Sequence, residues 1–70
     1  MERVAVESSV ILSVGYDAKR SALEIEFSQG AVFEYRPVPR SLYLRFLESD
    51  SKGRFFGRNI RDRYQGVQVK

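Results

Sequence analysis

The chain has 70 residues, no cysteine, no histidine and a formal net charge of +3. That length accommodates one domain, expected to span residues 1–70. Without cysteine there is no disulfide, thiolate zinc site or thiol redox chemistry, and without histidine the commonest general base and metal ligand near neutral pH is missing. No catalytic centre, cofactor or metal is therefore expected. No apolar run approaches the roughly 20 residues that cross a bilayer, and Met1-Glu2-Arg3-Val4 lacks the apolar stretch of a secretory signal. A cytoplasmic protein with no membrane association is the expectation.

In chain order, the first half alternates with period two, the mark of half-buried strands. Val10, Leu12 and Val14 fall on one side of a strand, Ile11 and Ser13 on the other. Leu23, Ile25 and Phe27 face one way, Glu24 and Glu26 the other, and Phe33 and Tyr35 repeat the pattern opposite Val32 and Glu34. Asp17-Ala18-Lys19-Arg20 and Ser28-Gln29-Gly30 supply the turns, with Gly30 expected at positive φ. Val10–Tyr35 thus reads as a three-stranded meander, with Val4 and Val6 as the material for a fourth, edge strand. Ser8-Ser9 reads as a cap or a bend between that edge strand and the meander. Pro37 and Pro39 end the sheet, since proline cannot donate to a ladder, and Pro39 suits the first turn of a helix.

From Arg40 the period becomes helical. Leu42 with Phe46, and Tyr43 with Leu47, form an apolar stripe up to Glu48. Ser49-Asp50-Ser51 breaks it and offers an N-cap to a second helix, whose Phe56, Ile60 and Tyr64 fall at i, i+4, i+8. Gly53 and Gly57 lower helix propensity, which marks them as sites of close packing. The tail Gln65–Lys70, with Val67 and Val69 alternating, reads either as a short strand or as a frayed end. Strands followed by helices define an α+β fold: a small antiparallel three- to four-stranded meander with two helices packed on one sheet face.

From about Val6 to Tyr64 the chain resembles the KTSC domain, a small module named after the C-terminus of certain lysyl-tRNA synthetases. Val6 with Ser8-Ser9, Gly15-Tyr16-Asp17, Leu23-Glu24-Ile25-Glu26-Phe27, Gly30, Phe33-Glu34-Tyr35, Val38-Pro39, Tyr43, Ser51-x-Gly53-x-Phe55-Phe56, Ile60-Arg61 and Tyr64 carry the likeness by their order and spacing. The family pattern has tyrosine at both central aromatic positions, where this chain has Phe33 and Tyr35. It often has asparagine where this chain has Gly57. The resemblance implies the module and an RNA-binding role, and it carries no catalytic activity over to this chain.

The charge is split along the chain. Residues 1–35 hold three basic and six acidic groups, a net of −3, while residues 36–70 hold nine basic and three acidic, a net of +6. A basic half makes one face attractive to polyanions, although basic side chains also serve simply to solvate helices. Arg54, Arg58 and Arg61 lie at i, i+4, i+7 on the second helix, with Arg36, Arg40, Arg45 and Lys52 beside them in sequence. Arginine grips phosphates bidentately, so these seven residues are the candidate nucleic-acid contacts; Arg61 also has Glu48, Asp50 or Asp62 as structural partners.

Phe33, Tyr35 and Tyr43 are the candidate stacking rings for bases. For Phe33 and Tyr35 the competing reading is a place beneath the helices; Tyr16 and Tyr43 suit edges where the ring packs and the hydroxyl stays wet. Glu24 and Glu26 read as solvated strand charge that repels nucleic acid, so RNA is expected on the helical side. The combined expectation is a small non-catalytic nucleic-acid-binding module for RNA, tRNA included. The alternative is a protein-interaction domain whose basic face meets an acidic partner.

Overall fold

The computed structural model describes residues 3–6 and 8–70. The reading of Met1 and Glu2 as lacking a signal lies outside the described residues. Strand β1 is Arg3–Ala5, β2 Ile11–Asp17, β3 Ala22–Phe27 and β4 Val32–Tyr35. Helix α1 spans Arg40–Glu48, α2 spans Lys52–Phe56 and runs into a π-helical turn at Gly57–Arg61, and β5 is Gly66–Gln68. The strands form one antiparallel sheet in the order β1-β2-β3-β4-β5.

The α+β class and the helices on one sheet face agree with the sequence reading, and the strand number is corrected to five. The tail is a strand, not a frayed end. Val67 pairs with Glu34 and Gly66 with Tyr35, which occupies an edge of β4 that would otherwise expose unpaired backbone groups. Gly66 makes this possible: a Cβ there would stand 2.5 Å from the Tyr35 ring. The turns form as expected. Gly30 has φ +100°, and the Lys19 amide donates to the Asp17 carboxylate at 3.0 Å. The Ser8 hydroxyl accepts from the Val10 and Ile11 amides, fixing the bend into β2.

The faces of β2 are also corrected. Ile11 pairs with Phe27 but Ser13 pairs with Glu26, so two residues of β2 oppose one of β3 and Leu12 is the extra residue of a bulge. One inserted residue flips the alternation. Ile11 and Val14 therefore both enter the core, while Val10 and Leu12 stay about half exposed. The bulge bends β2 where Val10 meets Gly53, whose hypothetical Cβ lies 3.0 Å from the Val10 side chain. Gly53 thus marks close packing, as its sequence position suggested.

The core lies between the helices and one sheet face. Ile11, Val14, Leu23, Ile25 and Tyr35 from the sheet meet Val38 and the helical Phe46, Phe56 and Ile60. Phe56 sits edge-on to both Phe27 and Tyr35, at 5.4 and 5.5 Å between ring centroids, the T-shaped arrangement that aromatic quadrupoles favour. The Ser51 hydroxyl accepts from the Arg54 amide at 3.3 Å and caps α2 as the sequence indicated. The Lys52 ammonium donates to the Ser49 carbonyl at 2.6 Å beside the end of α1, where a cation also meets the negative end of the helix dipole.

Candidate nucleic-acid interface

The two sides of the molecule treat their charges differently. On the sheet face away from the helices, the strand register sets Arg3, Glu24, Glu26 and Glu34 side by side. Arg3 pairs with Glu24. Arg20 reaches Glu34 at 2.6 Å and Asp17 at 3.7 Å, and Arg36 reaches the other Glu34 oxygen at 3.3 Å. Glu26 accepts from the Ser13 hydroxyl at 2.9 Å. Ala22 and Val32, on the same face, are fully or nearly fully buried. The acidic strand face is thus a network of partly covered charge in which Glu24 and Glu34 are ion-paired and Glu26 is held by a hydroxyl, not a row of freely solvated carboxylates.

The helical side is the reverse. Residues 40–63 carry seven basic and three acidic groups. Among the described residues only one ion pair lies there, Arg61 with its neighbour Asp62 at 3.6 Å. Arg40, Arg45, Arg54, Arg58 and Arg63 are exposed and form no ion pair among the described residues.

The seven candidate contacts separate into groups. Arg45, Arg54 and Arg58 neighbour Phe55: the Arg45 guanidinium lies 5.9 Å from the centroid of its ring, and Arg54 and Arg58 line the cleft that Phe55 also lines. Arg40 opens α1 and is exposed. Lys52 is half-buried and tied to the Ser49 carbonyl. Arg36 is removed from the helical group by its pairing with Glu34 on the sheet face. Arg61 leaves the stripe as well. The i, i+4, i+7 spacing assumed a regular α-helix, whereas Gly57–Arg61 form a π-helical turn with its wider i→i+5 bonding. Arg61 instead folds back over Gly57, its guanidinium 3.4 Å from where a Cβ would be.

The candidate stacking rings are placed by the fold. Tyr35 is 5% exposed in the core, and Phe33 is half-buried on the same helix-covered face. The reading that puts them beneath the helices is the correct one, and Tyr35 offers no face to a base. Burial raises the Tyr35 hydroxyl above its usual 10.0, an effect that nearby Arg61 partly offsets. Tyr43 is half-buried and stacks on Tyr16, ring centroids 5.1 Å apart, and burial raises its hydroxyl too. The Tyr16 hydroxyl donates to the Val38 carbonyl at 2.5 Å.

Sequence reasoning missed the cleft at the α1–α2 junction. Ser49, Asp50, Ser51, Arg54, Phe55, Arg58 and Asn59 line an open space of about 230 Å³. The available signal is a polar interhelical loop, which also serves as a cap, followed by arginines one helical turn apart. Arg63, exposed just past the π-helical turn, was counted in the charge but not among the contacts.

The family model for the KTSC domain matches residues 7–64, and the chain belongs to that family. A crystal structure of a KTSC domain protein from Yersinia pestis superposes with a TM-score of 0.92 at 38% identity, covering 99% of this chain and 97% of that one. An uncharacterized protein of Stutzerimonas stutzeri is 48% identical over 56 residues, 80% of this chain and 79% of the relative. A lysine–tRNA ligase of Nostoc punctiforme is 36% identical over 63 residues, which is 90% of this chain and 11% of the ligase. Among the described residues no helix is long and apolar enough to cross a membrane.

Proposed function

We propose that this KTSC domain is a non-catalytic RNA-binding module that meets the phosphate backbone with the arginines of α1 and α2. The observation that carries the reading is the unequal distribution of ion pairs. Four of the five among the described residues consume the charge of the sheet face, and the one on the helical side involves only Arg61. Arginines free of carboxylate partners need no pairing broken before they bind phosphate, and they release condensed counterions from the nucleic acid when they do. Arg45, Arg54 and Arg58 form the centre of the contact, with Arg40 and Arg63 extending it. The likeness to a segment of a lysine–tRNA ligase supports RNA, tRNA included, as the polyanion.

A labelled tRNA titrated at several salt concentrations tests this. Three neutralised phosphates, at about 0.7–0.9 each, give a slope of log K against log salt of roughly −2 or steeper. Affinity that ignores salt counts against the reading. Capture of a protein that persists from nuclease-treated lysate, with no tRNA binding, would favour the acidic-partner alternative.

A further inference from the structure

The cleft at the α1–α2 junction is lined by charged donors and by acceptors together. Arg54 and Arg58 supply guanidinium donors, while the Asp50 carboxylate and the Asn59 amide oxygen supply acceptors, the Asn59 nitrogen being engaged with the Phe55 carbonyl at 3.2 Å. Among the described residues Asp50 makes no ion pair with either arginine, so the cleft does not neutralise itself. A ligand that satisfies it brings both an anionic group and a hydroxyl or amine donor. Phe55 is the one apolar lining residue and offers a surface to the ligand's carbon skeleton. At about 230 Å³ the space falls below the roughly 300–1,000 Å³ of pockets that enclose a whole small molecule. That size suits one unit of a longer chain passing across an open surface.

We propose that this cleft takes a single nucleotide of an RNA strand, its phosphate on Arg54 and Arg58 and its ribose 2′-hydroxyl donating to Asp50. The inference deepens the RNA-binding reading and rests on it. The backbone arginines alone do not distinguish RNA from DNA, because both carry the same phosphates. A carboxylate that accepts from the 2′-hydroxyl does, since that group is what separates the two polymers at a given site.

The test compares a short unstructured oligoribonucleotide with the oligodeoxyribonucleotide of matching sequence, uracil replaced by thymine, at one salt concentration. The native protein favours the RNA by about tenfold or more, tenfold being near the low end for one hydrogen bond to a charged group. Asp50→Ala abolishes that ratio, and Asp50→Asn, which keeps an acceptor oxygen, retains part of it. The ratio is the readout because removing a negative charge strengthens both complexes together. Equal binding of RNA and DNA by the native chain, or an RNA preference untouched by Asp50→Ala, overturns the cleft assignment and leaves the RNA-binding reading standing. Failure of both polymers to bind removes both.

Discussion

Tyr16 lies against Tyr43 with ring centroids 5.1 Å apart and planes 14° from parallel, and its hydroxyl donates to the Val38 carbonyl at 2.5 Å. This pair joins β2 to α1, and the hydrogen bond anchors the Pro37–Pro39 corner that launches the helix. Tyr16→Phe keeps the stack and strands the Val38 acceptor. We expect a loss of about 1–2 kcal/mol in denaturant unfolding, with the fold retained. An unchanged midpoint would show that water replaces the bond without cost.

Gly66 is the position at which β5 crosses the Tyr35 ring. A methyl there overlaps a ring that the core holds from the other side. Gly66→Ala should destabilise by roughly 1–3 kcal/mol, and amide exchange should rise first along Gly66–Gln68. Gly30→Ala destabilises for a different reason, since its site is open but its φ of +100° is strained for any side chain.

Alkaline pH weakens the fold. Burial raises the hydroxyls of Tyr35 and Tyr43 above the usual 10.0, so the unfolded chain ionises them first. Their contribution is fully present below pH 10 and is lost as pH rises through the higher folded values. Urea unfolding between pH 8 and 11 should show the decline beginning near 10, and Tyr43→Phe should flatten part of it.

On the proposed reading, the sheet-face network should be separable from RNA binding. Glu34 serves Arg20 and Arg36 at once while largely covered. Glu34→Gln should cost about 1 kcal/mol, near the upper end for such pairs, and leave RNA affinity within twofold. Arg36→Gln should likewise spare binding, although the sequence alone groups Arg36 with the other arginines.

Much of this was legible in the sequence where a single local rule decides the structure. The span of α1, the Ser51 cap, the positive φ of Gly30 and the bend at Ser8 each follow from a few neighbouring residues. The bulge at Leu12 was not legible, because Val10, Ile11 and Leu12 are all apolar and any register fits them. The fate of Arg36 was half-legible. Two residues apart, it and Glu34 had a pairing available locally, but the Arg20 that completes the cluster arrives only through the β3–β4 register. The drift of Arg61 depends on a π-helical turn, and nothing in Gly57–Arg61 announces one beyond a permissive glycine.

Following backbone amide shifts while a short RNA is added reports most directly on where a polyanion settles. The largest changes should map to α1, the Ser49–Ser51 loop and α2, and replacing Arg45, Arg54 and Arg58 together with glutamine should remove them without unfolding the sheet. Changes concentrated on β1–β3, or an RNA response that survives the triple replacement, would contradict the assignment of that surface.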